Sequence, residues 1–252
     1  PAVCRYRHRH LQALCAADPF IPPPPHEIAI MTTNTLSHQL AEFKAGFSTR
    51  AAPERISIME NATAQLRASG IERTALRTGQ RAPDVTLPNA RGEPIRLHDL
   101  LKTGPVILVF YRGGWCPYCN LELRAWQHRL AEVKELGAHL VAISPQTPDS
   151  SLYTQEKNEL AFEVLSDSEL RAARGFGVAF DLPPELVDLY SSVGHDLPTT
   201  NGNGSWTLPV PATYAVGTDA MIRFAHVDVD YRNRAEPSDV LEVIRTMKLS
   251  SE

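Results

Sequence analysis

An α/β fold, with helices crossing between strands of one sheet, is what this sequence predicts. Three observations carry the prediction. PVILVFY (105–111) and HLVAIS (139–144) are continuous, β-branched apolar runs, the signature of strands covered on both faces. A strong helical pattern, 117–136, lies between them. Further strand and helix patterns alternate after them, as right-handed crossovers in a layered fold require.

The elements follow in order. Leu36, Leu40, Phe43 and Phe47, then Ile58, Ala62, Leu66 and Ile71, recur at helical spacing. Pro53 separates two helices and suits the first turn of the second; Gly70 suits its end. Residues 84–87 read as a short strand, and NARG (89–92) as a turn. In 117–136 Pro117 occupies the first turn, Leu121, Trp126, Leu130 and Val133 share a side, and Gly137 stops the helix. A helix over 148–160, a strand over 162–165 and a helical turn over 168–174 come next. PPELVDLY suggests a helix, SSVGHDLPTTNGNGSW a loop, and LPVPATYAVGTDAMIRFAHV two strands joined at 217–219. An amphipathic helix over 238–247 closes the pattern.

Residues 1–30 read as a disordered tail, foreign to the fold. They hold IPPPPHEIAI, whose four consecutive prolines exclude a helix or an inner strand. Met31 suits a natural start, and the composition leaves little room for a transit peptide. Residues 31–78 then form an N-terminal helical extension, and 79–249 the main domain.

Composition excludes several function classes. The chain has 252 residues, is 43% apolar and carries a net charge of −4, so it can bury a sizeable core and offers no basic surface for nucleic acid. No apolar run is long enough to span a membrane. Four cysteines are too few for a disulfide scaffold. Cys4 and Cys15 fall in the tail as incidental thiols. Cys116 and Cys119 suit a reducing, cytoplasmic setting in which thiols do chemistry.

Those two cysteines stand in FYRGGWCPYCNLELRAW (110–126), where an apolar strand runs into Cys-x-x-Cys and a helix. A thiol reacts as its thiolate, and a helix N-terminus favours the anion. The spacing puts Cys116 at the cap and Cys119 in the first turn, close enough to form a disulfide with little movement. Arg112 adds positive charge, or else is a solvated arginine. Structural zinc needs four ligands, and the domain offers neither a second Cys-x-x-Cys nor a paired histidine motif. Two inert buried thiols would leave the strand–helix junction unexplained.

The segment resembles the active-site stretch of the thioredoxin superfamily. More narrowly, it resembles the peroxiredoxin-like proteins of the alkyl hydroperoxide reductase/thiol-specific antioxidant (redoxin) family. GQRAPDVTLPNARGEPIRL, PVILVFY, HLVAISPQTP and PATYAVGTDAMIRF extend the likeness over about two-thirds of the chain. The resemblance implies a thioredoxin-like fold, a central mixed sheet flanked by helices. It implies a thiol-dependent peroxidase that reduces hydrogen peroxide or organic hydroperoxides through a sulfenic acid and a Cys116–Cys119 disulfide. Thioredoxin, glutaredoxin or a small thiol would be the reductant, no metal or organic cofactor would be needed, and a homodimer fits the family.

The family's Phe-Tyr-Pro…Thr-x-x-Cys places Cys119 at the peroxide-attacking position. Cys116 then stands where the family has Thr, and Arg112 where it has Pro. The family's Arg before a late strand has no counterpart in LPVPATYAV. The thioredoxin pattern instead makes Cys116 lead, and it places a cis-proline opposite the pair, for which Pro211 is the candidate. Trp115 and Tyr118 shape the pocket. Glu122 either relays protons or favours the helix dipole, and Trp206 with its loop covers the site. His195 and His226 read as structural. Two rivals stand beside the peroxidase: a protein disulfide oxidoreductase led by Cys116, and a non-enzymatic redox sensor or binding module.

Overall fold

Val106–Phe110 (β3) is the centre of the molecule. Every one of its residues is buried, because sheet neighbours flank it and helices cover both faces. The computed structural model describes residues 35–249; the expected tail over 1–30, with Cys4 and Cys15, lies outside them.

The order along the described chain begins with helices Leu36–Arg50 (α1), Pro53–Ser69 (α2) and Ile71–Thr74 (α3). The small hairpin Thr86–Pro88 (β1) and Pro94–Arg96 (β2) and the helix Leu97–Leu101 (α4) precede β3. Pro117–His128 (α5) and Leu130–Glu135 (α6) then lead to His139–Ser144 (β4), Pro148–Lys157 (α7), Glu163–Ser166 (β5) and Arg171–Gly175 (α8). Ala179–Asp181 (β6), Pro184–Ser192 (α9), Leu197–Asn201 (α10) and Thr207–Pro209 (β7) form an insertion closed by β6–β7 pairing. Ala212–Val216 (β8), Ile222–Val227 (β9) and Pro237–Leu249 (α11) complete the domain.

The main sheet has the order β5-β4-β3-β8-β9. β3 pairs parallel with β4, and β4 with β5; β8 runs antiparallel to both β3 and β9. This is the mixed, helix-flanked sheet of the thioredoxin-like fold. Alternation within β3 divides the core, since successive side chains point to opposite faces. Ile107 and Val109 join Leu123, Trp126 and Ile244 on one side. Val106, Leu108 and Phe110 join Leu101, Phe176 and Tyr214 on the other.

Three local expectations change. The stretch 191–206, expected as a loop, carries α10, capped by the Asp196 side chain, which accepts from the Thr199 N–H. The helix expected over 117–136 is two helices, α5 and α6, because Arg129 leaves helical geometry at φ −101°, ψ 3°. No cis peptide occurs among the described residues, so Pro211 is trans. The extended chain runs through Val210, whose N–H donates to the Val178 carbonyl at 2.7 Å, into β8, and a trans bond continues that path.

Candidate active site

β3 ends at Phe110, and the chain must turn to enter α5. Gly113 makes the turn with φ +138°, where a Cβ would strike the Trp115 indole. A polar network fixes the turn. Gly114 N–H donates to Gln146 Oε1 at 2.8 Å, Asn120 Nδ2 donates to the Gly114 carbonyl at 2.9 Å, and Asn158 Nδ2 donates to Asn120 Oδ1 at 3.0 Å. Cys116 is thereby the N-cap of α5, Pro117 begins the helix, and Cys119 lies in its first turn. Both thiols are free and buried; Cys116 is 2% exposed and Cys119 0%.

Cys119 Sγ accepts from the Arg112 backbone N–H at 3.4 Å and from Arg234 Nη2 at 3.5 Å. Burial pushes this thiol up. A hydrogen bond from Cys116, the Arg234 charge and the Arg112 N–H together outweigh burial and hold Cys119 well below the ordinary thiol range. Cys116 moves the other way. Its hydrogen bond to Cys119 and its burial raise it, while Arg112 and Arg234 oppose. Cys119 is therefore the thiol whose anion this site favours, and Cys116 the one whose anion it disfavours.

Arg234 is the functional residue that sequence reasoning missed. It comes from DVDYRNRAEP (228–237), the loop between β9 and α11. The side chain is pinned from several directions. Nε and Nη2 donate to the Tyr231 carbonyl at 2.9 and 2.6 Å, and Nη1 pairs with Glu122. Glu122 also accepts from Thr213 Oγ1 at 3.3 Å. Glu122 lies beyond the first turn of α5 and is buried, so it anchors a cation rather than answering the helix dipole. Burial pushes its carboxyl up to about 7, against the pull of Arg234.

Arg112 is not a solvated arginine either. Its guanidinium is buried, donates to Tyr190 Oη at 2.6 Å, and lies 5.1 Å from the Trp115 ring and 4.5 Å from that of Tyr231. Tyr118 stacks edge-on with Phe43 at 5.0 Å. The covering over Cys116 comes from α1 and α2, through Phe43, Phe47, Arg55 and Met59, with His195 at the same cavity. Trp206, expected to cover the site, packs instead with the cluster around Leu182 and Leu208. Pro211 lines a second, apolar cavity, beside Arg112 and Tyr231. His226 sits on β9, half-buried, with its pKa lowered chiefly by burial.

A mixed sheet with a Cys-x-x-Cys pair at the N-terminus of the helix after β3 defines a thioredoxin-fold thiol redox protein. The chain belongs to the AhpC/TSA family, whose model matches residues 78–225. It is similar to a peroxiredoxin of Mycobacterium tuberculosis, 33% identical over 112 residues, 44% of this chain and 73% of that protein. Peroxiredoxin Bcp of Bacillus subtilis is 32% identical over 100 residues, 40% of this chain and 63% of the relative. Among solved structures, peroxidoxin BcpB of M. tuberculosis superposes with a TM-score of 0.54 at 24% identity, over 68% of this chain and 97% of that one. The reduced 2-Cys peroxiredoxin of Plasmodium vivax gives 0.55 at 15%, over 70% and 84%. These structures share the fold. The family and its relatives bear out the thiol-dependent peroxidase expected from the resemblance. No helix among the described residues is long and apolar enough to cross a membrane.

Proposed function

We propose that Cys119 attacks the peroxide and Cys116 resolves. The carrying observation is that Cys119 Sγ, not Cys116, receives the Arg112 N–H and the Arg234 guanidinium. In the first step the Cys119 thiolate attacks one peroxide oxygen and the O–O bond breaks. The leaving alkoxide or hydroxide takes the Cys116 proton, and Cys119 becomes a sulfenic acid. The Cys116 thiolate so formed lies near the Arg112 charge, which favours it. It then attacks the Cys119 sulfur; hydroxide leaves, is protonated from solvent, and a Cys116–Cys119 disulfide results. A thiol reductant returns the pair to its starting state. No metal or organic cofactor enters any step, and a cytoplasmic, reducing setting suits the cycle.

One observation favours the rival disulfide oxidoreductase: Cys116 lines the open cavity and Cys119 does not. The raised Cys116 thiol argues against it as the leading nucleophile.

Single-turnover oxidation with hydrogen peroxide separates the readings. Cys116→Ser should still consume one equivalent and stop at a dimedone-reactive sulfenic acid, whereas Cys119→Ser should consume none. Turnover that survives Cys119→Ser, or insulin reduction without peroxide consumption, overturns the proposed order.

A further inference from the structure

The cavity over Cys116 has a volume of about 170 Å³. No acidic side chain lines it, whereas Arg55, Arg112 and His195 do. Three buried N–H donors belong to residues of its wall and meet no acceptor: Arg55 Nε, Arg112 Nε and Trp115 Nε1. Arg112 is 2% exposed, so its cation has left water. Its polar partner is the neutral Tyr190 hydroxyl, and no carboxylate pairs with it among the described residues. A buried guanidinium gains strongly from an anion that presents two oxygens to it. Arg55, Arg112 and His195 all line the cavity, and burial together with the two arginine charges lowers the His195 pKa. The rest of the wall is apolar and aromatic, and the only sulfhydryl on it is that of Cys116.

We propose that this cavity binds a carboxylate-bearing, low-molecular-weight thiol, which reduces the Cys116–Cys119 disulfide from the Cys116 side. The proposal rests on the reading above, in which that disulfide is the oxidised state. Cys116 is 2% exposed and reached through a cavity lined by residues of α1 and α2, a geometry that favours a small thiol.

The chemistry balances. The bound thiolate attacks Cys116 Sγ, the Cys116–Cys119 bond breaks, and Cys119 leaves as the thiolate, received by the Arg112 N–H and the Arg234 guanidinium. A second thiolate then attacks the external sulfur of the mixed disulfide. The small-molecule disulfide departs, and Cys116 is released and takes up a proton. Two thiols have given two electrons to the protein.

The test uses the full chain oxidised with diamide, so that making the disulfide does not depend on peroxidase activity. Failure of hydrogen peroxide to make a disulfide that diamide makes would count against the peroxidase reading alone. Reduction rates are compared for glutathione, cysteamine and thioredoxin, with the small thiols matched in thiolate concentration. Glutathione should saturate and should exceed cysteamine by about tenfold, as a charge-assisted contact implies. The preference should vanish in Arg112→Gln and shrink in Arg55→Ala and in Arg112→Lys, whose ammonium keeps the charge but loses the forked contact. Arg55 is only half-buried, so its variant carries the test if Arg112→Gln does not fold. Equal rates for the two small thiols, faster reduction by thioredoxin, or no Cys116–Cys119 disulfide with diamide each overturns the proposal. Selectivity for carboxylated hydroperoxides without selectivity among thiols assigns the cavity to the oxidant, and overturns it equally.

Discussion

Replacing Arg234 by Met removes the cation nearest the Cys119 sulfur while keeping an unbranched side chain. At the observed 3.5 Å, a unit charge acts on the thiolate with about 5 kcal/mol at an effective dielectric of about 20. The Glu122 carboxylate on the same guanidinium cancels part of that attraction, so about 3 kcal/mol remains and the Cys119 pKa should rise. The variant also strands Glu122 in the core, and breaking a buried pair costs about 3–5 kcal/mol. The double variant Arg234→Met, Glu122→Gln removes both charges and should regain most of that stability. Its Cys119 pKa should nevertheless stay high. Thiolate absorbance against pH reads the shift, and stopped-flow oxidation by hydrogen peroxide reads the consequence. Below both pKa values the rate should fall about 100-fold, because only the thiolate attacks. A folded double variant whose Cys119 titrates within half a unit of wild type would show that Arg234 does not set the thiolate.

Two further outcomes follow from the same cluster. The Glu122 carboxyl is raised from 4.5 to about 7, so the folded chain holds this proton more tightly than the unfolded chain. That stabilisation is present below 4.5 and is lost as pH rises through about 7; the thermal midpoint should fall across this window in wild type, and Glu122→Gln should flatten the slope, with parallel slopes refuting the assignment. Glu236 accepts from the Leu36 and Ser37 N–H groups at 3.2 and 2.6 Å, tying the start of α1 to the loop that carries Arg234. Glu236→Ala should cost about 1 kcal/mol, as loss of a helix cap does, and should speed alkylation of Cys116 as α1 loosens; unchanged alkylation would mean that α1 does not guard the cavity.

Much of the fold was legible because its signals are local. The runs 105–111 and 139–144 are buried strands since both faces of β3 and β4 are covered, and nothing else explains so many adjacent β-branched residues. The strand–Cys-x-x-Cys–helix junction was equally direct. Arg234 was not, because it meets Cys119 across 115 positions and lies in a stretch with no periodicity. The family pattern directed attention to an arginine before β8. Here the guanidinium arrives from the loop after β9, held by Tyr231 and Glu122. The roof over Cys116 was half legible. The spacing of Leu36 and Leu40 gave α1 its buried face, but no local rule says that the neighbouring Phe43 and Phe47 close over a thiol 70 positions away.

The order of the two cysteines turns on which arginine each one meets. A helix N-terminus acts on both thiols, so position alone does not separate them. Arg234, pinned by Glu122 and Tyr231, donates to Cys119 and, after the Cys116 hydrogen bond, does most to lower that thiol. Arg112 gives its backbone N–H to Cys119, but its side chain joins Cys116 on the cavity wall. Charge on Cys116 is therefore disfavoured at rest, when Cys119 is already an anion. It becomes favourable once Cys119 is a neutral sulfenic acid and Arg112 faces the remaining sulfur. One site thus supports two thiolates in succession. In the proposed order, a thiol where the family has Thr and an arginine where it has Pro act together: the first would resolve inside the peroxide site, and the second would supply the charge that cysteine uses when its turn comes.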